Sequence, residues 1–265
     1  MTRILSILPQ CSPSLKRLFY DYSMPNQDHA VSNLLSTIVL KCPLLQEVSS
    51  GTIPFPENVF EYLAGLRALR TLESAIPTTG YPETRRSSDP VFSSLKTLDL
   101  QVTHTQHIQT LLERVGSRNL VHLRVEFYKS PRVTSGQFKS LLDLITQNQS
   151  SVRGLYIIHD RQPRRAPPQP NPDQNLSFTD IYPMVNKFPN MVLICLVSSN
   201  FAIDLHDDDL RAMALAWRSL KIFEISSNQC YSLQPNVTLR SLLAFATYCP
   251  DLEKLYTQSR PLLSR

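Results

Sequence analysis

The stretch Leu95-Lys96-Thr97-Leu98-Asp99-Leu100 has apolar residues at its first, fourth and sixth positions. The two later leucines alternate onto one face of an extended chain, and the first leucine anchors the turn that enters the strand. The Leu-x-x-Leu-x-Leu frame therefore predicts a short strand that feeds one side of a core. Because one copy carries little weight, the meaning of the frame depends on its repetition.

The same frame recurs along the chain. Full copies are Leu120/Leu123/Val125, Val152/Leu155/Ile157, Met191/Ile194/Leu196 and Leu220/Phe223/Ile225, and partial copies are Leu15/Leu18, Leu45/Val48, Leu69/Leu72 and Leu252/Leu255. Spacings of roughly 24 to 39 residues fall in the range that is typical of repeat architectures. The frame therefore predicts nine strands.

A second pattern, with apolar residues at i, i+3, i+4 and i+7, lies between the strands and predicts an amphipathic helix at each occurrence. Its copies are Val31/Leu34/Leu35/Ile38, Val59/Tyr62/Leu63/Leu66, Ile108/Leu111/Leu112/Val115, Phe138/Leu141/Leu142/Ile145, Ile181/Met184/Val185/Phe188, Leu210/Met213/Ala214/Trp217 and Leu239/Leu242/Leu243/Ala246. Ser135 and then Thr179 or Asp180 are predicted helix caps, and Asp207-Asp208-Asp209 is a predicted helix start.

Alternating helices and strands are compatible with a doubly wound sheet, a (β/α)8 barrel or a solenoid. The shared strand frame and the lack of a glycine-rich turn after any strand favour the solenoid, in which every repeat offers the same apolar set to its neighbours. We therefore predict a single α/β domain over residues 1–265, with parallel strands on the concave face and helices on the convex face. Two proline-containing loops are predicted at about 76–90 and 161–175. The second loop contains the R-x-x-P-x-x-P segment from Arg164 to Pro170.

Composition excludes several function classes. The chain contains six glycines and matches no phosphate-cradling motif. Its net charge is +5 and its basic residues are scattered, so nucleic acid is not an expected partner. We find no apolar run of membrane-spanning length. The five cysteines form no C-x-x-C pair, which predicts buried free thiols and a cytoplasmic or nuclear location.

Candidate catalytic and metal-binding clusters have simpler interpretations. The run His206-Asp207-Asp208-Asp209 fits the start of a helix better than a cation site, because consecutive helical residues point in different directions. His104 and His107 lack a third ligand nearby in the sequence. We therefore predict no enzyme activity, no catalytic residue, no metal site and no cofactor.

The frame, together with the steps Cys42-Pro43-Leu44-Leu45 and Cys249-Pro250-Asp251-Leu252, resembles the leucine-rich repeats of F-box proteins, especially the fungal members. In that family a cysteine or apolar residue and then a proline lead into Leu-x-x-Leu. The resemblance implies a leucine-rich-repeat horseshoe that serves as the substrate-recognition arm of a ubiquitin ligase component. The alternative is a stand-alone repeat scaffold or adaptor without a ligase role.

The F-box itself is not evident in the sequence. Leu8-Pro9 offers the expected opening step, but the strand frame at Leu15 follows too soon for the adaptor-binding helices. A cullin-RING adaptor is therefore an expected partner only if an F-box lies elsewhere.

The residues that flank the frame leucines point away from the core, onto the inner curve of a solenoid. We expect a partner protein to bind there. The predicted contact residues are Asp99, His122, Arg124, Glu126, Tyr156, Glu224 and Tyr256. Arginine and tyrosine are favoured at binding hot spots, so Arg124, Tyr156 and Tyr256 are the predicted anchors.

Overall fold

The computed structural model describes residues 13–20, 29–77, 91–116, 119–128, 133–159, 175–227 and 237–257. Over these residues the chain is an α/β protein with eleven strands and seven helices. It divides into two compact units, Met1–Leu120 and Val121–Arg265.

In the first unit, strands and helices follow each other along the chain. The strands are β1 (Arg17–Phe19), β2 (Glu47–Pro54), β3 (Thr71–Ala75) and β4 (Thr97–Val102), and the helices are α1 (His29–Leu40), α2 (Glu57–Gly65) and α3 (Thr105–Arg114). Each strand pairs in parallel with the next one in sequence. A register shift follows Ser49 in β2, where the chain passes through Gly51 at a φ of +55°.

The second unit repeats this arrangement. Its strands are β5 (His122–Phe127), β6 (Gly154–His159), β7 (Leu176–Ser177), β8 (Leu193–Ser198), β9 (Ile203–Asp204), β10 (Ile222–Ser227) and β11 (Lys254–Thr257), and its helices are α4 (Ser135–Asn148), α5 (Phe178–Lys187), α6 (Asp207–Ala216) and α7 (Leu239–Tyr248). Strands β5, β6, β8, β10 and β11 pair in parallel in chain order. The short strands β7 and β9 form a separate parallel pair.

All nine predicted strands are present, and the frame residues form the core in seven of them. In the first and last strands the frame residues Leu15, Leu18, Leu252 and Leu255 are only half-buried. Leu95, Leu98 and Leu100 are fully buried, as are their counterparts in the other full copies of the frame, apart from traces at Val152 and Ile225. Burial alternates along β4 and β10, so in each unit one face of the strands is packed and the other is half-buried. Helices cover the packed face. For example, the ring centroids of Phe223 on β10 and Phe245 on α7 lie 4.6 Å apart. Each fully buried large side chain contributes about 1.5–3 kcal/mol.

All seven predicted helices form, but the apolar stripe predicted for the last one is wrong. In α7, Leu239 and Leu243 are 76% and 66% exposed, and the buried side chains are Ser241, Ala244 and Phe245. The C-cap residue of α7 is Cys249, three residues before the frame residue Leu252, just as the C-cap residue of α6 is Trp217, three residues before Leu220. Phe245 and Cys249 therefore face the core, and the apolar stripe predicted for α7 is turned towards solvent.

Two of the predicted helix caps also need correction. Thr134, rather than Ser135, caps α4, because its hydroxyl accepts from the Gln137 amide and the Gln137 side chain accepts from the Thr134 amide. Ser177 occupies the cap position of α5, and Asp180 accepts a hydrogen bond from the Ser177 backbone at 2.9 Å. The sequence contained both S/T-x-x-polar boxes, but the choice between neighbouring hydroxyls depends on backbone geometry. The predicted acidic start of α6 at Asp207 is confirmed.

Asp207 also ties the start of α6 to the start of α7. Its carboxylate accepts hydrogen bonds from the Thr238 amide at 2.7 Å and from the Thr238 hydroxyl at 2.5 Å. These bonds to the hydroxyl and the amide hold the pKa of Asp207 below its ordinary value of 3.8. The carboxylate therefore stabilises the folded state only while it is ionised.

Replacing Asp207 by asparagine is expected to destabilise the chain at neutral pH and to have little effect in acid. Because the folded pKa is depressed, the contribution of the carboxylate is complete above pH 3.8 and is lost as the pH falls through the lower folded value. Urea titrations of both proteins between pH 2 and pH 7 measure this difference. A difference that persists unchanged at the lowest pH would contradict the assignment, and Asp208→Asn is the neighbouring control.

Several predictions fall partly outside the described residues. In the predicted loop 76–90 only Ile76 and Pro77 are described, and in the loop 161–175 only Asn175 is. The segment from Arg164 to Pro170 lies outside them. Cys195 and Cys249 are free and buried, as expected, and Cys42 is also buried. The other two cysteines are not among the described residues.

Candidate functional site

The strand register aligns five side-chain positions across the half-buried face of the second unit. Arg124 pairs with Tyr156, Tyr156 with Cys195, Cys195 with Glu224, and Glu224 with Tyr256. Neighbouring strands lie about 4.8 Å apart, so this row extends over about 19 Å. We call these five residues the central row. Four of them were predicted contact residues, and Cys195 was not.

Arg124 is held at one end of the central row by two neighbours. Its guanidinium Nη2 lies 3.1 Å from Glu126 Oε2 on the same strand, and its Cζ lies 5.9 Å from the centroid of the Tyr156 ring. The Arg124 side chain is 43% exposed. At this exposure the ion pair adds at most about 1 kcal/mol of stability, so its main effect is to fix the orientation of the guanidinium.

Cys195 and Glu224 form the middle of the row. The Cys195 thiol is buried and donates a hydrogen bond to Glu224 Oε2 at 3.4 Å. Burial, reinforced by the negative charge of Glu224, raises the pKa of Cys195 to about 12. The thiol therefore stays protonated at neutral pH, which suits it as a weak donor to the carboxylate and makes it a poor nucleophile.

His122 lies beside the central row, over Gly154 on the next strand. The two residues are register partners, and a Cβ built on Gly154 would collide with His122 Nδ1. The absence of a side chain at Gly154 therefore allows the imidazole to lie across β6. Nothing in the sequence frame identified this glycine, because its neighbour in space is 32 residues away along the chain.

Replacing Gly154 by alanine is expected to displace the His122 ring and to leave stability nearly unchanged. His122 is exposed and can rotate away, and alanine is favoured over glycine in a strand by about 0.5–1 kcal/mol, which offsets the cost. The imidazole NMR signals of His122 should shift in Gly154→Ala and stay in place in the control Gly136→Ala. Unmoved signals in Gly154→Ala would show that the ring does not lie over Gly154.

Asp99 lies in the first unit and is register partner of Glu73, which in turn pairs with Ser49. Ser49 Oγ donates to Glu73 Oε2 at 2.8 Å. The remaining predicted contact residues belong to the second unit. All six of them share one face of the sheet: His122, Arg124, Glu126, Tyr156, Glu224 and Tyr256.

Sequence reasoning missed a buried polar cluster at the carboxyl end of β6 and β8. His159 is fully buried, and its Nδ1 lies 3.0 Å from Ser199 Oγ. Asn200 Nδ2 donates to the Val133 carbonyl at 3.2 Å, and Ser198 Oγ accepts from the Asn200 and Phe201 amides. Although a serine–histidine contact suggests hydrolytic chemistry, a substrate cannot reach a histidine with no exposed surface. The cluster therefore supports the fold.

Over the part of the chain that the structure describes, no three His, Cys, Asp or Glu side chains gather into a group that could hold a metal ion. No described helix combines the length and apolar character needed to cross a membrane. No protein-family model matches the sequence. A search of curated proteins likewise finds no match.

Proposed function

We propose that this chain is a protein-interaction module and that the second unit binds a partner protein through the face that carries the central row. The observation that supports this proposal most strongly is the row itself, in which Arg124, Tyr156 and Tyr256 share one line across five paired strands. These residue types dominate binding hot spots.

The composition of this face also fits an interface. Apolar side chains on the inner strands, namely Ile158, Leu193, Val197 and Ile222, are half-buried around the row. Within the second unit, Arg124 and Glu126 lie on its first strand, β5, and Lys254 lies on its last strand, β11. An apolar centre with a polar rim is the usual anatomy of a protein interface. Because strand hydrogen bonds already hold the backbone, little ordering entropy is lost on binding.

We further propose that the fold is a leucine-rich-repeat solenoid and that the chain acts as the recognition arm of an F-box-like ubiquitin ligase component. Strand order follows chain order in each unit, whereas a doubly wound sheet reverses at a switch point. In the second unit each helix from α4 to α7 contacts the next one. The ligase role rests on the resemblance of the Cys-Pro-x-Leu steps alone. A repeat scaffold without ligase function is the alternative.

A pull-down from lysate with the purified chain tests the binding face. The variant Arg124→Glu/Tyr156→Ala should lose a partner that the wild-type chain retains. The matched control Arg211→Glu/Tyr182→Ala makes the same changes at exposed helix positions of the same unit and should retain it. Retention by both variants would place binding elsewhere. Recovery of a cullin-RING adaptor or of its substrates would favour the ligase arm over the scaffold.

A further inference from the structure

Glu224 is the one carboxylate in the central row, and it forms no ion pair with another described residue. The other acid on this face, Glu126, is paired with Arg124 at 3.1 Å. Among the described residues, no Lys, Arg or His nitrogen lies within 4.0 Å of the Glu224 carboxylate, including that of Lys254 on the adjacent strand. Its hydrogen bond from the Cys195 thiol is a weak one that leaves most of its acceptor positions unused.

The surroundings of Glu224 suit the side chain of a cation. Tyr256 is its register partner and is 54% exposed, and Tyr156 stands two strands away on the other side. Aromatic rings attract an ammonium or guanidinium group when it lies over their faces. Ile222, two residues before Glu224 on the same face, offers an apolar surface for the methylene stem. A lysine or arginine therefore finds charge, aromatic and apolar complements at one point.

We propose that the central row receives an extended segment of the partner protein and that a lysine or arginine of this segment binds the Glu224 carboxylate beside Tyr256. This inference rests on the proposed binding function of the same face. An extended chain advances about 3.3 Å per residue, so about six residues cover the roughly 19 Å of the row. Arg124, already engaged by Glu126 and Tyr156, bounds the site at its far end.

A phage-displayed library of random 12-residue peptides, selected on the wild-type chain at 150 mM salt, tests the proposal. Peptides recovered by the wild type should be enriched in Lys and Arg. Glu224→Gln keeps the shape of the side chain and should weaken the best basic peptide about tenfold or more. Glu224→Lys should select acidic peptides instead. Asp208→Asn, which removes an exposed carboxylate from α6, is the control and should behave as the wild type does.

The outcomes separate this inference from the proposed function. Peptides that need Arg124 and Tyr156 but show no basic preference, or a preference unchanged in Glu224→Gln, would overturn the cation site and leave the binding face intact. Peptides insensitive to changes at Arg124, Tyr156 and Glu224 would overturn both. Failure to select any peptide would overturn the extended-segment proposal, while the pull-down would still test the face. Circular dichroism of each variant verifies that it is folded.

Discussion

Replacing Trp217 by alanine is expected to lower the free energy of unfolding by about 3–5 kcal/mol. Trp217 is fully buried at the end of α6, and its carbonyl accepts from the Leu220 amide at 3.0 Å and from the Cys249 thiol at 3.4 Å. Its removal leaves a large cavity in the core. Because total stability is about 5–15 kcal/mol for a typical protein, this loss is a large fraction of it.

Urea titration followed by far-ultraviolet circular dichroism measures this effect. Fluorescence is unsuitable because Trp217 is the single tryptophan of the chain. The control is Leu215→Ala on the same helix, where the side chain is 38% exposed and the expected loss is below about 1 kcal/mol. Equal losses in the two variants would contradict the assignment of Trp217 to the core.

Replacing His159 by alanine is expected to cost about 2–4 kcal/mol, the second largest effect. The change removes the group that lies 3.0 Å from Ser199 Oγ and the ring that stacks edge-on near Phe127, with centroids 6.1 Å apart. Polar groups would then line a cavity in the core. The loss should appear as a lower urea midpoint for unfolding.

Two further variants define what His159 contributes. His159→Phe fills the volume and keeps an aromatic neighbour for Phe127, so a loss intermediate between wild type and alanine would show that both packing and hydrogen bonding matter. His122→Ala removes an exposed imidazole and should change the free energy of unfolding by less than about 0.5 kcal/mol. If His159→Ala were as stable as wild type, the cluster would have no supporting role.

The repeated frame predicted the strands well because each strand needs two or three inward apolar residues at fixed spacing. Leu98 and Leu100 illustrate this, since both are fully buried. The apolar stripe predicted for α7 was wrong, because spacing along a helix does not determine which side of the helix is buried. Leu239, Leu242, Leu243 and Ala246 fit the helical period, but the period does not reveal which face meets a neighbouring helix. That face is set by tertiary packing, in which the Cys249 thiol donates to the Trp217 carbonyl at 3.4 Å.

The sequence predicted which residues of the candidate site face away from the core, but it did not predict how they are arranged relative to one another. Alternation along β5, β6, β10 and β11 identified Arg124, Tyr156, Glu224 and Tyr256 as facing away from the core. Their alignment in one row depends on strand register, which the loop lengths between repeats obscure in the sequence. The same register brings Gly154 under His122 and Cys195 beside Glu224. These long-range partners have no local signal in the sequence.

The central claim is that a partner protein binds the face of the second unit that carries the central row. The most direct test is the dissociation constant of the captured partner for three proteins: the wild type, Tyr156→Ala and the matched control Tyr182→Ala. A hot-spot tyrosine contributes at least about 2 kcal/mol, so Tyr156→Ala should weaken binding about 30-fold or more, while Tyr182→Ala stays within about twofold of wild type. Equal affinity of Tyr156→Ala and wild type, with both variants folded, would contradict the claim.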